Sequence, residues 1–305
     1  MVIMDAEALR TFLEIHRAGG ITRATEALHR SQPAVSRRLA LLEQELGVGL
    51  FERIRGGVVL TDAGKALLPF AEAGLAVLAD AEAAVRAVGS RDAGAVSLAL
   101  VGTLASSGLT SVLRRFARRH PRVELSLRTA TSREVSDLVR RAEVTLGLRY
   151  SRDPAPELRC ETLFSERMVV VAASDHPLVG ASRVPPRRLA EQTWIAFPQA
   201  PGRPEASAGY VQRALDAVGV PEGRILRVDS LTAQKRLVEA GFGIALLPEN
   251  SIREERTSRS LAVLDVRGLE VAVPVVLVTR RNGFLGVAAR TLVGELRKAA
   301  AEVSA

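Results

Sequence analysis

The chain has 305 residues, of which 47% are hydrophobic, 25% are charged and only 4% are aromatic, and its formal net charge is +8. This balance is typical of a globular protein with two or more domains. No run of about 18 apolar residues is present, so we expect no membrane-spanning helix. The single cysteine, Cys160, excludes an internal disulfide, and the N-terminus lacks the basic and apolar start of a secretion signal. These features predict a cytoplasmic protein.

Three short helices are predicted in the N-terminal segment. An amphipathic helix is expected over 5–18 and a second helix over 22–28, where the Thr22 hydroxyl could cap the first turn. The third helix begins after a capping residue, Ser31, and has Pro33 in its first turn, where the missing N–H costs nothing. Helical spacing predicts that the third helix buries Ala34, Val35, Leu39, Leu42 and Leu46.

Polar side chains are expected on the outer face of the third helix, namely those of Gln32, Ser36, Arg37 and Arg38. These residue types hydrogen-bond to base edges and phosphates in the major groove. Two helices that meet at a tight corner, with another helix behind them, form the helix-turn-helix of DNA-binding proteins. A surface helix with a basic edge is common by itself, but the capped three-helix arrangement favours DNA binding.

A hairpin is predicted after the three helices. Two short apolar segments between Leu50 and Thr61 flank the pair Gly56–Gly57, which is a turn signal. Arg53 and Arg55 stand beside this turn, and a hairpin next to a docked helix can place such side chains in a narrow minor groove. We therefore predict a winged helix-turn-helix domain over 1–61.

The positive charge of the chain does not lie in this domain. Residues 1–62 hold eight arginines and eight acidic residues, so DNA binding must depend on the placement of a few arginines, and several subunits would bind more strongly together. The surplus lies in 114–159, with twelve arginines and six acidic residues. The simpler interpretation is a solvated face or a subunit contact, and the alternative is a field that attracts an acidic ligand.

Residues 62–89 are predicted to form one alanine-rich linker helix. Apolar side chains recur along it every three or four residues, which suits a helix that pairs with a second helix. Packing on its own domain is the alternative, because Leu67, Phe70 and Val77 broaden the apolar face. The stripe consists of Leu68, Ala71, Leu75, Leu78, Ala81, Val85 and Val88.

Strands and helices alternate over 93–303, which predicts a parallel sheet. Two sets occur in succession and predict an α/β domain of two lobes with a ligand cleft between them, as in proteins of the periplasmic-binding-protein type. Lobe I is expected over about 93–165 and 268–303, and lobe II over about 166–267. The predicted strands are 96–101, 123–127, 144–148, 168–173, 194–197, 225–228, 244–247 and 273–279.

Hydroxyl-rich corners follow predicted strands at three places, 103–107, 129–132 and 230–232. Ligands of such sheets bind at the carboxyl ends of strands, near helix N-termini. A hydroxyl at a helix start is more often a plain cap, but three corners around one cleft favour a site for a carboxylate or similar anion. Arg149, just past the third strand, could pair with such an anion or simply be solvated.

The run from Ala18 to Lys65 closely resembles the winged helix-turn-helix of the LysR-type transcriptional regulators, and the layout of the remaining chain fits that family. Two departures are minor: Gly49 stands where the family commonly has proline, and Thr25 replaces a common alanine. The resemblance implies an antiparallel dimer contact through the linker helix. It implies DNA contacts by Gln32, Pro33, Ser36 and Arg37 in the major groove, by Thr22 and Arg38 at phosphates and by Arg53 in the minor groove, and we add Ser31 to this set.

The same resemblance implies that Thr103 and Thr131 contact an effector and that the loop 197–202 lines the other side of the cleft. The effector would have to bind two assemblies of the protein with different affinities, because equal affinity shifts nothing. The residues predicted to bind it are Thr103, Ser106, Thr131, Ser132, Arg149, Phe197 and Thr232.

We therefore predict a transcriptional regulator that binds an inverted-repeat operator in double-stranded DNA as a dimer or tetramer and responds to a small-molecule effector, for which an anion is one candidate. Gly-x-Ser-x-Gly, Walker A and His-Glu-x-x-His sequences are missing, so we expect no enzyme activity, cofactor or metal. A solute-binding protein would need an export signal and no DNA-binding segment. An architectural DNA-binding protein without an effector is the interpretation that the sequence leaves open.

Overall fold

A computed structural model describes residues 4–88, 94–106, 108–198 and 206–304. These residues form two compact units, one mainly from 4–88 and the other mainly from 94–304. Within the described ranges, no helix is long and apolar enough to cross a membrane.

The first unit contains three helices followed by a two-stranded hairpin. Asp5 accepts a hydrogen bond from the Ala8 backbone N–H at 2.7 Å and so caps the first helix. The side chains of Phe12, Ile15 and Leu42 are fully buried in its core. The elements are α1 (Ala6–Ala18), α2 (Ile21–Leu28), α3 (Gln32–Leu46), β1 (Phe51–Ile54) and β2 (Gly57–Leu60), which confirms the predicted succession.

Some predicted details of these helices are wrong. Thr22 does not cap α2, because the helix begins one residue earlier and has no side-chain cap. Ser31 occupies the N-cap position of α3, but its hydroxyl makes no capping hydrogen bond. Ala34 and Leu46 are exposed rather than buried, because Leu46 ends the helix beyond the packed residues and Ala34 lies about 100° from Val35 around it.

A long helix, α4 (Asp62–Ala87), follows the hairpin. The Thr61 hydroxyl caps it by accepting a hydrogen bond from the Gly64 N–H at 3.0 Å. The predicted apolar stripe divides, because one part packs on the core of the first unit and another part is exposed in the single chain. In the stripe, Leu68, Ala71 and Leu75 are packed, whereas Leu78, Ala81, Val85 and Val88 are exposed. Of the three residues that broaden the face, Leu67 packs on the same core, and Phe70 and Val77 are exposed.

The second unit is an α/β domain. Its strands are β3 (Gly94–Leu100), β4 (Val123–Thr129), β5 (Leu146–Tyr150), β6 (Leu158–Ala173), β7 (Trp194–Ala196), β8 (Ile225–Arg227), β9 (Ile244–Pro248), β10 (Leu261–Val263) and β11 (Val271–Arg280). Its helices are α5 (Leu109–Arg119), α6 (Ser132–Arg140), α7 (Pro186–Ala190), α8 (Ala206–Val218), α9 (Leu231–Glu239), α10 (Arg253–Thr257) and α11 (Val287–Ser304). In the described part of the chain the nine strands form one sheet of order β4-β3-β5-β11-β6-β9-β7-β8, with β10 paired to β6.

The sheet is mixed, so the prediction of a parallel sheet is wrong in part. The pairs β3–β4, β3–β5, β7–β8 and β7–β9 are parallel. The pairs β6–β11, β6–β9 and β5–β11 are antiparallel. The strand β6 has 16 residues, but only its apolar C-terminal part was predicted. The charged residues Arg159, Glu161 and Glu166 interrupt the apolar pattern in the first part. The strands β6 and β11 link the β3–β4–β5 part of the sheet to the β7–β8–β9 part.

Candidate nucleic-acid interface and effector site

One side of α3 faces away from the core of the first unit. Val35, Leu39 and Leu42 are the buried residues of this helix. Arg37 is exposed and lies two residues from Val35, which is about 200° around the helix. Pro33, four residues before Arg37, is also exposed and shares this outer face. The helix therefore offers Arg37 to a partner without disturbing its own packing.

The other polar residues predicted on α3 flank this face. Gln32 is exposed and Ser36 is partly buried. The Arg38 guanidinium lies 3.5 Å from the carboxylate of Asp5, and the two side chains are 41% and 57% exposed. An ion pair so open to water contributes little stability, so Arg38 could exchange Asp5 for a DNA phosphate at small cost.

The hairpin carries Arg53 on its first strand. Arg53 is exposed and lies opposite Val58 in the register of β1 and β2. The turn consists of Arg55 and Gly56, whose φ is +94°, and not of the predicted Gly56–Gly57 pair. Gly57 instead starts β2 and pairs with Ile54.

The hairpin is fixed to the corner between α1 and α2. The Val58 N–H donates to the Gly19 carbonyl at 3.1 Å. The Arg23 guanidinium donates to the same carbonyl at 2.9 Å and to the Gly56 carbonyl at 3.4 Å. A Cβ on Gly57 would lie 2.2 Å from the Gly19 carbonyl oxygen, so the close approach requires glycine. Neither Arg23 nor this contact was predicted, because nothing in the spacing of the sequence marks it.

Replacing Gly57 with alanine is expected to push the hairpin away from the corner. We expect the free energy of unfolding to fall by about 2 kcal/mol, the usual cost of overpacking, and DNA affinity to fall with it. Urea unfolding followed by circular dichroism measures the first effect. Gly49→Ala is the matched control, because its Cβ would come no closer than 3.9 Å to the Glu43 side chain. Equal loss of stability in both variants would contradict the argument.

The second unit brings three of the predicted effector residues to neighbouring strand ends. β3 pairs with β4 up to Leu100 and Thr129, and the Ala130 N–H donates to the Leu100 carbonyl at 3.0 Å. Thr103 lies in the short 3-10 helix 102–106 that follows β3. Thr131 and Ser132 follow β4, at the start of α6. The carboxyl ends of adjacent parallel strands are where ligands of such sheets bind.

A tyrosine joins these corners, and the sequence did not predict it. The hydroxyl of Tyr150, the last residue of β5, lies 2.8 Å from the Thr103 Oγ1 and donates to the Glu166 Oε2 at 2.5 Å. The Tyr150 backbone N–H donates to the Ser132 Oγ at 3.3 Å. Two features of the sequence could have indicated this contact: an aromatic residue at the end of a buried strand, and an acidic residue next to the apolar part of β6.

Thr131 has the role of a helix cap in this structure. Its backbone N–H and its hydroxyl both donate to the Glu134 Oε2 at 2.9 Å, and the Glu134 N–H donates back to the Thr131 Oγ1 at 3.3 Å. This reciprocal pair is a capping box. The two hydrogen bonds from Thr131 lower the pKa of the Glu134 carboxyl. An effector that accepts a hydrogen bond from the Thr131 hydroxyl would first have to replace the Glu134 carboxylate.

Arg149 is neither solvated nor free for an anion. Its side chain is 8% exposed and forms an ion pair with Asp153. Its Nη1 donates to the Ser136 Oγ at 2.6 Å, and its Nε donates to the Tyr150 carbonyl at 3.1 Å. The prediction that Arg149 binds an effector anion is therefore corrected: the guanidinium braces the end of β5 against α6, and Asp153 already neutralises its charge.

The remaining predicted effector residues lie on other elements. Phe197, directly after β7, is partly buried, and its carbonyl accepts from the Arg227 guanidinium at 3.2 Å. Thr232 is exposed in the first turn of α9, which Ser230 caps by accepting from the Ala233 N–H at 3.3 Å. The side chain of Ser106 and the loop beyond residue 198 lie outside the described residues.

Comparison with known proteins agrees with this geometry. A family model described as "LysR substrate binding domain" matches residues 89–301, and one described as "Bacterial regulatory helix-turn-helix protein, lysR family" matches residues 6–65. The RuBisCO operon transcriptional regulator of Allochromatium vinosum is 30% identical over 281 residues, which cover 92% of this chain and 91% of that protein.

Solved structures are similar over the whole chain. A full-length OxyR variant from Pseudomonas aeruginosa has a TM-score of 0.68 at 21% identity and covers 96% of this chain and 98% of its own, which shows the shared fold. Full-length CbnR, solved in complex with its target DNA, has a TM-score of 0.62 at 26% identity, with coverage of 97% and 99%.

Proposed function

The chain belongs to the LysR-type family of DNA-binding transcriptional regulators, and we propose that it reads an inverted-repeat operator through the outer face of α3. The observation that supports this is the exposed position of Arg37 opposite the buried side of the helix. Arginine on such a face can bond bidentately to guanine in the major groove. Arg53 on the hairpin reaches the minor groove, and Arg38 exchanges Asp5 for a phosphate. Gln32, Pro33, Ser36, Thr22 and Ser31 complete the proposed contact surface.

The domain organisation follows from this role. We assign 1–61 to the winged helix-turn-helix domain, 62–89 to the linker helix and 93–303 to the effector-binding domain, whose lobe I covers about 93–165 and 268–303 and lobe II about 166–267. The exposed apolar residues of α4 are the surface through which two copies pair. A DNA-binding regulator of this kind acts in the cytoplasm, where its operator lies.

The effector enters the cleft between the two lobes. Thr103 and Ser132, both bonded to Tyr150, lie on the lobe I side, and Phe197 and Thr232 lie on the lobe II side. Binding there changes the angle between the two lobes, which β6 and β11 connect, and with it the arrangement of the winged helix-turn-helix domains on DNA. Only an effector with different affinities for the two arrangements can act in this way.

A footprint with an effector screen tests the proposal. The purified full chain is bound to the intergenic DNA beside its own coding sequence and digested with DNase I, with and without a panel of small carboxylates and small uncharged compounds. We expect a protected inverted repeat whose length changes with one compound. The double variant Thr103→Ala, Thr131→Ala should keep the footprint and lose the change, whereas Thr110→Ala, an exposed threonine of α5, should keep both.

The possible outcomes of the footprint lead to different conclusions. Protection that no compound alters would favour an architectural DNA-binding protein. Protection of no discrete site would contradict the operator. A response retained in the double variant would place the effector elsewhere.

A further inference from the structure

A carboxyl group is buried where β6 passes from one part of the sheet to the other. Glu166 is 1% exposed and lies opposite Val273 of β11. Its Oε2 accepts the short hydrogen bond from Tyr150, whereas its Oε1 is buried and has no hydrogen-bond partner among the described residues. An ionised carboxylate with an unpaired buried oxygen is costly, and the neutral acid is much less so.

The groups that face this carboxyl are polar and uncharged. They are the Tyr150 hydroxyl from β5 and the Asn250 side chain from the short 3-10 helix Glu249–Ile252 after β9, while β11 contributes its backbone at Val273. Burial raises the pKa of Glu166, and the neighbouring Tyr150 hydroxyl and Asn250 side chain lower it by less. In the described part of the chain, no cation contributes to this pKa, so the charge has no compensating partner.

The two protonation states of Glu166 orient the hydrogen bonds differently. When the carboxyl is ionised it can only accept, so the single Tyr150 hydroxyl proton points to Glu166. The Tyr150 oxygen must then accept from the Thr103 hydroxyl, 2.8 Å away. The Thr103 proton is used in this contact, and Thr103 offers only an acceptor to the cleft.

Protonation reverses each step. The neutral acid can donate from Oε2 to the Tyr150 oxygen, and Tyr150 then donates to the Thr103 Oγ1. The Thr103 hydroxyl proton is released and can point into the cleft as a donor. One proton on a buried residue thus changes what a partly exposed hydroxyl offers to a ligand.

We propose that Glu166, acting through Tyr150, determines whether Thr103 donates or accepts in the effector site, so that an anionic effector binds together with one proton on Glu166. The inference rests on the proposed function, because it assumes that Thr103 contacts the effector. Glu166 is a positioning residue and does not itself touch the ligand. Hydrogen-bond polarity and charge act in the same direction, because a carboxylate ligand requires a donor at Thr103 and is repelled by an ionised Glu166.

The expected signature is a coupling between ligand affinity and pH. Affinity for a carboxylate is highest below the pKa of free Glu166 and constant there. As pH rises above that pKa, affinity falls by up to roughly ten-fold per pH unit until the pKa of the complex is reached, because one proton is taken up per ligand bound. A neutral ligand that donates to Thr103 shows the opposite slope.

Calorimetric titration of the full chain tests this with acetate, fumarate and glycolate, whose carboxyl groups stay ionised from about pH 6.5 to about pH 8.5. We expect the affinity for the anion that binds best to fall several-fold as pH rises across that range. Titration in two buffers of different ionisation enthalpy should show net proton uptake on binding at the pH where the affinity falls. In Glu166→Gln the amide donates to Tyr150 at every pH, so affinity should stay at the low-pH value of the wild type.

Two further variants separate the relay from simple charge. Tyr150→Phe cuts the relay and frees the Thr103 proton, so most of the pH dependence should disappear while Glu166 is still present. Glu161→Gln is the matched control, because Glu161 lies on the same strand and pairs with Arg297 at 2.7 Å. It should keep the full pH dependence of the wild type.

Each outcome has one meaning. Binding that alters the footprint with no proton uptake, or with the same pH dependence in Glu166→Gln, overturns the inference and leaves the proposed function intact. No binding of any of the three anions at either pH, in a protein whose footprint responds to an uncharged compound, also overturns it. A footprint that responds to nothing contradicts the proposed function itself.

Discussion

Replacing Val77 and Val85 of α4 with glutamate is expected to turn the protein into a monomer and to lower its operator affinity by about 100-fold or more, as loss of bivalent binding does. Val77 is 64% exposed and Val85 is 74% exposed in the single chain. Eight residues separate them, so they lie within about 80° of each other around the helix. Phe70, which is 75% exposed, and Val88 extend the same exposed apolar face of α4.

Exposure makes this substitution informative. Neither valine belongs to the packed part of α4, so the fold of the single chain loses no contact that stabilises it. Two charges per helix, placed in an apolar contact, would remain unpaired and desolvated in the dimer. A winged helix-turn-helix domain with equal numbers of arginines and acidic residues binds one half-site weakly. The loss of the second such domain removes the gain in affinity from bivalent binding.

Sedimentation equilibrium measures the assembly, and fluorescence anisotropy with labelled operator measures the affinity. Ala83→Glu is the matched control: Ala83 is exposed and lies six residues from Val77, about 240° around the helix. It adds a charge to the other side and should remain oligomeric. A double variant that stays dimeric, or a control that dissociates equally, would show that α4 pairs through a different face.

The division of the α4 stripe shows where sequence periodicity reaches its limit. Leu75 and Leu78 are three residues apart and equivalent in the pattern, yet Leu75 packs on the core of the first unit and Leu78 is 49% exposed. Periodicity reports that a face is apolar, but what covers the face depends on where the neighbouring elements end. The three helices and the hairpin were predictable because capping residues, glycines and spacing are local signals.

The proposed effector site was less predictable for the same reason. Hydroxyls at strand ends mark a corner, and the sequence located Thr103 and Ser132 correctly just after the ends of the neighbouring strands β3 and β4. Tyr150 and Glu166 are 16 residues apart and meet only because β5, β11 and β6 lie side by side. Arg149 was assigned to a ligand because an arginine near a strand end suggests an anion, whereas Asp153, four residues later, supplies that anion from the chain itself.

Arg37→Ala is expected to weaken operator binding by roughly 5- to 150-fold, which corresponds to about 1–3 kcal/mol for one base contact, while leaving the fold unchanged. Arg37 is exposed on the outer face of α3, so thermal unfolding should be the same as in the wild type. The two possible contacts of an arginine predict different patterns. If Arg37 reads a base edge, affinity falls for the operator and much less for scrambled DNA. If it binds a phosphate, both affinities fall together and the salt slope decreases by about one.

Arg10→Ala provides the comparison for charge alone. Arg10 lies on α1, outside the exposed face of α3 that carries Arg37, and its exposed guanidinium is 3.0 Å from Glu7. Arg10→Ala removes one positive charge from the same unit as Arg37→Ala does, so any effect of net charge on DNA binding appears equally in both variants. We expect Arg10→Ala to bind the operator within about two-fold of the wild type, since long-range effects of one exposed charge are screened. The winged helix-turn-helix domain has no net positive charge. Weaker operator binding in Arg37→Ala, with unchanged binding in Arg10→Ala, would therefore mean that recognition depends on the position of each arginine and not on the net charge of the domain.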